Sequence, residues 1–146
     1  MILKKEDVIM QEVINATDVR KNWGNFIDHV VRFKPFLVKR NRDYIAAISL
    51  EHLETVLTPY KFPLKYEKEA DGSFSGFLKE LDLVINAASL DALKTEMAKE
   101  LTAYAQEYMD EFQEYYGSSN RKPHFPFILR VLIQKNEDAV RGLLDA

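Results

Sequence analysis

The chain has 146 residues, of which 47% are hydrophobic, and it carries 20 lysines and arginines against 23 aspartates and glutamates. That length and apolar content suffice for one domain or two small ones and exclude disorder throughout. The absence of cysteine excludes disulfide scaffolds and thiolate sites, and no apolar run is long enough to span a bilayer or resembles a secretory signal. We therefore expect a cytoplasmic protein that is not inserted in a membrane.

The charge is distributed unevenly along the chain. Residues 1–58 hold nine basic against eight acidic residues, a net charge of +1, whereas residues 59–146 hold eleven against fifteen, a net charge of −4. Between positions 19 and 42 only Asp28 opposes the basic residues, which are Arg20, Lys21, Arg32, Lys34, Lys39, Arg40 and Arg42. Such a cluster is typical of a phosphate-binding surface, although most charge runs are solvated faces.

The first predicted elements are a short strand over residues 13–16 and a helix. Thr17 stands where a helix N-cap is expected, and Asp18 follows in the first turn, where it interacts favourably with the helix dipole. Apolar residues then recur at spacings of three and four, which predicts one helix that ends before Pro35. These apolar residues are Val19, Trp23, Phe26, Ile27, Val30 and Val31.

A β-hairpin is predicted after this helix. Residues 36–40 and 44–49 are β-type runs, and the residues between them include Asn41 and Asp43, which suit a turn. A short helix over 51–57 follows. The segment 59–63 contains two prolines and marks the change in charge balance, so it is the predicted boundary between domains 1–58 and 59–146.

The second half predicts an antiparallel sheet and one long helix. Strands over 64–69 and 73–80 flank Asp71-Gly72, a dipeptide favoured in two-residue hairpin turns, and residues 83–86 add a third strand. Ser89 is placed to cap a long helix that ends near Gly117. The apolar positions of that helix are Leu90, Leu93, Met97, Leu101, Tyr104, Tyr108, Phe112 and Tyr115. A strand over 125–134 and a helix over 136–144 complete the prediction.

Neither base stacking nor metal binding is indicated by the aromatic residues and histidines of the chain. The aromatic residues of the long helix could stack nucleic-acid bases, but their helical spacing indicates a core face. The histidines His29, His52 and His124 show no metal-ligand spacing and are expected to be surface or partly buried imidazoles. No glycine-rich phosphate loop or nucleophile elbow is present. We therefore predict no enzyme, with no catalytic residue, metal or cofactor.

Two segments of the first half resemble the Phd/YefM antitoxin family. INATDVRKNW at 14–23 and FLVKRNRDYIAAI at 36–48 share with it a strand, a polar cap, an acid, an arginine two residues later, a helix and a hairpin. The resemblance covers about residues 10–57 and departs at residues 33–35, where the family usually has an acid and a glycine. It implies a β-α-β-β-α homodimer whose hairpins pair across the two-fold axis and whose strand and first helix contact operator DNA.

The resemblance also implies roles for individual residues. By position, Arg20 corresponds to the DNA-contacting arginine, Thr17 to the cap beside the phosphate backbone, and Asn15 to the adjacent strand. The basic cluster extends this set on grounds of charge. The predicted DNA-binding residues are therefore Asn15, Thr17, Arg20, Lys21, Arg40 and Arg42.

Residues 66–104 are similar to the HicB-like antitoxin domain. They share with it a strand, Asp71-Gly72, a second strand, an acidic turn at residues 80–82 and a helix after Ser89, whereas residues 84–88 replace its glycine-rich strand. This resemblance implies a folded α+β domain that masks a small basic ribonuclease. Such a domain takes the place of the flexible tail with which Phd/YefM antitoxins usually bind their toxins.

The sequence thus predicts an α+β antitoxin of a type II toxin–antitoxin system. It is expected to bind its own operator DNA as a homodimer or higher oligomer and to neutralise a cognate toxin by protein–protein contact. One alternative is a stand-alone DNA- or RNA-binding regulator without a toxin, although the net charge of −4 in the second half disfavours nucleic acid there. Another is a small hydrolase, for which no cooperating site can be assembled.

Overall fold

The computed structural model describes residues 11–145. They divide between Thr55 and Val56 into two compact units, and both units contain strands and helices. The predicted α+β fold class is therefore confirmed. Within the described residues no helix combines the length and apolar character needed to cross a bilayer.

The first unit is built on a three-stranded sheet. Its elements are β1 (Val13–Asn15), α1 (Ala16–Lys21), α2 (Trp23–Arg32), β2 (Phe36–Arg40), β3 (Asp43–Ala47) and α3 (Leu50–Leu57), within which the division between the units falls. β1 pairs in parallel with β2, and β2 pairs antiparallel with β3. The buried core of this unit consists of Val19, Phe26, Val30 and Val38.

The segment predicted as one helix contains two. Asn15, and not Thr17, is the N-cap of α1, because the side-chain oxygen of Asn15 accepts a hydrogen bond from the backbone N–H of Thr17 at 2.9 Å. Asn15 has the extended backbone of a cap residue, at the end of β1. Asn22 then interrupts the helix with φ −126° and ψ 44°, and α2 begins at Trp23. The prediction of Thr17 as the cap was wrong.

The first hairpin is confirmed. Arg40 pairs with Asp43, so two residues connect β2 to β3, and Asn41 has a positive φ of 55°. Asn tolerates this left-handed conformation better than most residues. The predicted helix over 51–57 is also confirmed, with a start at Leu50.

The second unit combines a three-stranded sheet with four helices among its described residues. Its elements are β4 (Phe62–Pro63), β5 (Lys65–Lys68), β6 (Phe74–Leu78), β7 (Leu83–Ala87), α4 (Leu90–Asp110), α5 (Phe112–Gly117), α6 (Phe125–Leu132), α7 (Glu137–Gly142) and β8 (Leu144–Asp145). Strands β5, β6 and β7 form an antiparallel meander, and the short β4 and β8 pair in parallel. Ser89 caps α4 as predicted, because its hydroxyl accepts the backbone N–H of Ala92.

The long helix α4 supplies the centre of this core. Leu93, Met97, Leu101 and Tyr108 have no exposed surface, which confirms the predicted apolar face. Other aromatic residues of α4 and α5 pack against the same core, including Tyr104. Helical spacing therefore identified buried residues and not a stacking platform.

The second hairpin has a wider loop than predicted. β5 ends at Lys68 and β6 begins at Phe74, so Asp71-Gly72 is not a two-residue turn. The backbone N–H of Glu69 donates to the carbonyl of Ser73 at 2.7 Å, and the Asp71 carboxylate accepts the N–H of Ser73 at 2.9 Å. Gly72 provides the positive φ of 90° that this loop requires.

The end of the chain departs most from the sequence prediction. The predicted strand over 125–134 is wrong, since residues 125–132 form α6 and bury Ile128 and Val131 on one helical face. Arg130 of this helix donates to the carbonyl of Tyr60 at 2.6 Å. Packing of this helix against α4 thus outweighs the strand propensity of its Phe-, Ile- and Val-rich sequence.

Two other helix ends also differ from the prediction. The predicted single helix that ends near Gly117 breaks at Glu111, where φ is −114° and ψ is 42°. The terminal helix is shorter than predicted, because Leu144 pairs with Phe62 in a parallel strand pair.

Candidate nucleic-acid interface

A pocket of about 520 Å³ opens on the first unit beside the start of α1. Parallel pairing of β1 with β2 brings the carboxyl ends of both strands to one edge of the sheet. The start of α1 follows one strand and the β2–β3 turn follows the other. The pocket at this edge is lined by Asn15, Ala16, Thr17, Arg20, Arg40 and Asn41.

Four of the six predicted DNA-binding residues therefore line one pocket, while the other two do not. Lys21 is exposed in the last turn of α1, and Arg42 is exposed in the β2–β3 turn beside Asn41. Sequence reasoning missed Asn41 as a lining residue, although its turn position between two arginines was a usable signal. Ala16, which also lines the pocket, has an apolar side chain that gave no such signal.

The pocket has a positive charge. Arg20 and Arg40 are both exposed, and neither forms an ion pair with another residue in the range 11–145. Both arginines line the pocket together with Asn15 and Thr17. Guanidinium groups donate paired hydrogen bonds to phosphate oxygens, and amides and hydroxyls add neutral contacts. The arrangement is chemically suited to an oxyanion such as a phosphate group.

Other members of the basic cluster contact aromatic rings. The Lys34 ammonium lies 5.4 Å from the ring centroid of Phe36, and the Lys39 ammonium lies 5.5 Å from that of Tyr44. Cation–π contacts of this kind stabilise modestly at exposed sites. Of the basic cluster, Arg20 and Arg40 therefore line the pocket and Lys34 and Lys39 contact aromatic rings. The remaining members, Lys21, Arg32 and Arg42, are exposed.

The first unit also has an exposed apolar surface, which we call the α2 stripe. Trp23, Ile27 and Val31 follow each other at intervals of four along α2, with exposed fractions of 59%, 39% and 55%. They belong to the set of apolar residues at helical spacing that also contains Val19, Phe26 and Val30, and only the latter three are buried. The apolar surface of α2 is therefore wider than the part of it that the first unit buries. Exposed apolar surface of this kind marks interaction sites.

A separate polar pocket of about 410 Å³ lies in the second unit. The side chain of His124 is only 7% exposed, so it is more deeply buried than the surface or partly buried imidazole that was expected. Its Nδ1 lies 2.7 Å from the hydroxyl of Tyr104, and its Nε2 lies 4.0 Å from Oδ2 of Asp82. Burial lowers the pKa of His124, Asp82 opposes that effect, and Arg121 reinforces it. Among the described residues no three His, Asp or Glu side chains are grouped as metal ligands.

Comparisons with known proteins address the identity of the chain. Residues 10–146 match the PHD_like family, described as an antitoxin of RelE/RelB toxin–antitoxin systems. The structure is similar to a crystal structure described as an antitoxin part of a toxin/antitoxin system from Syntrophomonas wolfei subsp. wolfei. That protein is 40% identical, the match has a TM-score of 0.86, and it covers 92% of this chain and 96% of the other. A comparison with curated proteins gave no match.

Proposed function

Because the chain belongs to the PHD_like family of toxin–antitoxin antitoxins, we propose that its first unit binds the operator of its own operon as a homodimer. The family also implies a toxin partner, and we propose that the second unit neutralises it. The observation that carries the DNA-binding proposal is the pocket shared by Asn15, Thr17, Arg20 and Arg40. Such an antitoxin acts by binding and performs no chemical step.

Phosphate contacts explain why this pocket would hold DNA. Two guanidinium groups without acidic partners among the described residues can each neutralise a backbone phosphate and release condensed counterions. Lys21 and Arg42 flank the pocket and would lengthen the contact along the same backbone. These contacts would place the protein on the duplex, and sequence would be read by groups that reach base edges.

The α2 stripe and strand β3 support the homodimer. β3 is an edge strand of its sheet, and its Ile45 is 63% exposed. A two-fold dimer buries the same surface on both copies, so a single exposed apolar region can cover itself. This arrangement agrees with the resemblance to Phd/YefM antitoxins, in which hairpins pair across the two-fold axis. Two copies would also present two positive pockets to a two-fold symmetric operator.

The second unit supports toxin capture through its fold and its charge. A three-stranded meander covered by one long helix agrees with the HicB-like resemblance of residues 66–104. Several acidic residues of α4 and the adjoining α5 are exposed, which complements a basic ribonuclease. These residues are Glu96, Glu100, Glu107, Asp110, Glu111 and Glu114. We therefore propose a folded toxin-binding unit and a basic toxin.

Operator binding can be tested by electrophoretic mobility shift with the DNA upstream of the chain's own reading frame. Binding should weaken linearly in a plot of the logarithm of affinity against the logarithm of salt concentration, because phosphate contacts release counterions. A scrambled duplex of equal length is the control. Equal affinity for both duplexes at every salt concentration would contradict an operator-specific function.

Toxin neutralisation can be tested by expressing the product of the adjacent reading frame with and without the full chain. We expect growth arrest by that product alone and normal growth when both are present. Continued arrest in the presence of the full chain would contradict the proposal.

A further inference from the structure

The pocket around His124, which we call the Asp82 pocket, has features that the fold alone does not require. Asp82 and Glu107 both line it, and they come from the turn before β7 and from α4. Tyr104 and Tyr115 form its aromatic walls. Its volume of about 410 Å³ is large enough for the end of a long side chain.

Arg121 is the cationic residue that lines this pocket, and it already contacts an aromatic ring there. The Arg121 guanidinium lies 4.5 Å from the ring centroid of Tyr115 and 5.8 Å from that of Tyr104. Glu107, which lines the same pocket, is exposed. The carboxylate of Asp82 is 82% exposed and has no cationic partner among the described residues, apart from the His124 imidazole at 4.0 Å.

One polar atom of a buried side chain is left for a ligand. The Nδ1 atom of His124 is hydrogen-bonded to Tyr104, while its Nε2 has no hydrogen bond to any described residue. When the ring proton lies on Nδ1 and is donated to the Tyr104 oxygen, Nε2 is free to accept an N–H from outside. A neutral imidazole adds no positive charge that would repel a cation.

We propose that the Asp82 pocket is the anchor for one arginine or lysine side chain of the basic toxin. Its guanidinium or ammonium group would donate to Asp82 and to Nε2 of His124, with Glu107 adding negative charge and Tyr104 covering the aliphatic stem. Glu107 of α4 lines the pocket, and α4 and α5 carry further exposed carboxylates whose negative charge attracts a basic partner. This inference rests on the proposed neutralisation of a toxin.

A small-molecule probe tests the pocket without the toxin. The full chain is titrated with Nα-acetyl-arginine methylamide and, in parallel, with the uncharged isostere Nα-acetyl-citrulline methylamide, while NMR follows the His124 and Tyr104 signals. We expect shifts with the arginine probe only. Asp82→Asn should abolish them, and Glu67→Gln, which removes an exposed carboxylate of β5 outside the pocket, should retain them. Asparagine tolerates the left-handed backbone of Asp82, whose φ is 56°.

Calorimetry with the toxin tests the partner. Removal of one carboxylate from the pocket, by Asp82→Asn or Glu107→Gln, should weaken binding about tenfold. Glu67→Gln should bind as the wild-type chain does. Equal shifts with both probes, or full toxin affinity of Asp82→Asn, would overturn the anchor while leaving toxin neutralisation intact. If the wild-type chain fails to bind the toxin at all, the proposed function falls and the anchor falls with it.

Discussion

Gly76 of β6 and Leu93 of α4 lie so close that a Cβ on Gly76 would stand 2.8 Å from Cδ2 of Leu93. Leu93 has no exposed surface, and the side chains around it belong to the main core of the second unit. The leucine therefore has little room to move aside. Glycine at this position allows the sheet to approach the helix closely.

Gly76→Ala should lower the free energy of unfolding by about 1–3 kcal/mol, because the added methyl group overpacks a filled core. Leu93→Ala alone should cost about 2–5 kcal/mol. The double variant should cost less than the sum, since the smaller side chain makes room for the methyl group. Equilibrium urea denaturation of the four proteins measures this coupling, and strictly additive costs would contradict the close contact.

Arg20→Ala should weaken operator binding about tenfold and reduce the salt-dependence slope by about one unit, because one phosphate contact is lost. Lys65→Ala removes the same charge from an exposed residue of β5 in the second unit, so it is the control for net charge. We expect a smaller loss for Lys65→Ala in the same mobility-shift titration. Equal losses would indicate that net charge, and not the pocket, determines affinity.

Two substitutions of Asn15 can separate the effect of the helix cap on stability from the effect of the pocket charge on DNA binding. Asn15→Ala should cost about 1 kcal/mol in the free energy of unfolding, because the N–H of Thr17 loses its acceptor. Asn15→Asp keeps an acceptor at the cap and should retain stability. It also places a negative charge among the two arginines, so DNA binding should fall. Thermal denaturation and the mobility shift check the two effects, and unchanged DNA binding by Asn15→Asp would count against a phosphate in this pocket.

The proposed homodimer predicts that Val31→Asp gives a monomer. A charge in the α2 stripe would have to be buried without a partner in the two-fold interface, which is unfavourable. Val84→Asp in the second unit is the control, since Val84 is also largely exposed, at 64%. Analytical ultracentrifugation should find a monomer only for Val31→Asp. A dimer for both variants would place the interface elsewhere.

The stability of the protein should decrease as pH falls below about 6.5, the ordinary pKa of histidine. Burial holds the pKa of His124 below that value, so the unfolded chain binds more protons in the window between the two pKa values. The stabilisation is fully present above pH 6.5 and is lost as pH falls toward the lowered pKa. His124→Gln should flatten this dependence between pH 7 and 5, whereas His29→Gln, at an exposed residue, should preserve it. Denaturation at several pH values provides the measurement.

Local chemistry was sufficient to predict much of this protein from its sequence. Ser89 caps α4 because its hydroxyl accepts a hydrogen bond from the backbone N–H of Ala92, three residues later in the chain. Asn41 lies in a two-residue turn between β-type runs. The spacing of the apolar residues along α4 identifies the residues that this helix buries. The resemblance of the first half to antitoxins agrees with the family to which the chain belongs. In each case the deciding residues are neighbours along the chain.

Only the tertiary structure decided features that depend on distant residues. The segment 125–132 has strand propensity, yet it is helical because one face packs against α4. The α2 stripe has the period of a buried face, but its unit buries only part of it. Parallel pairing of β1 and β2 brings Arg20 and Arg40 into one pocket. Propensity and capping act over a few residues, whereas burial and the meeting of side chains depend on how the whole chain packs.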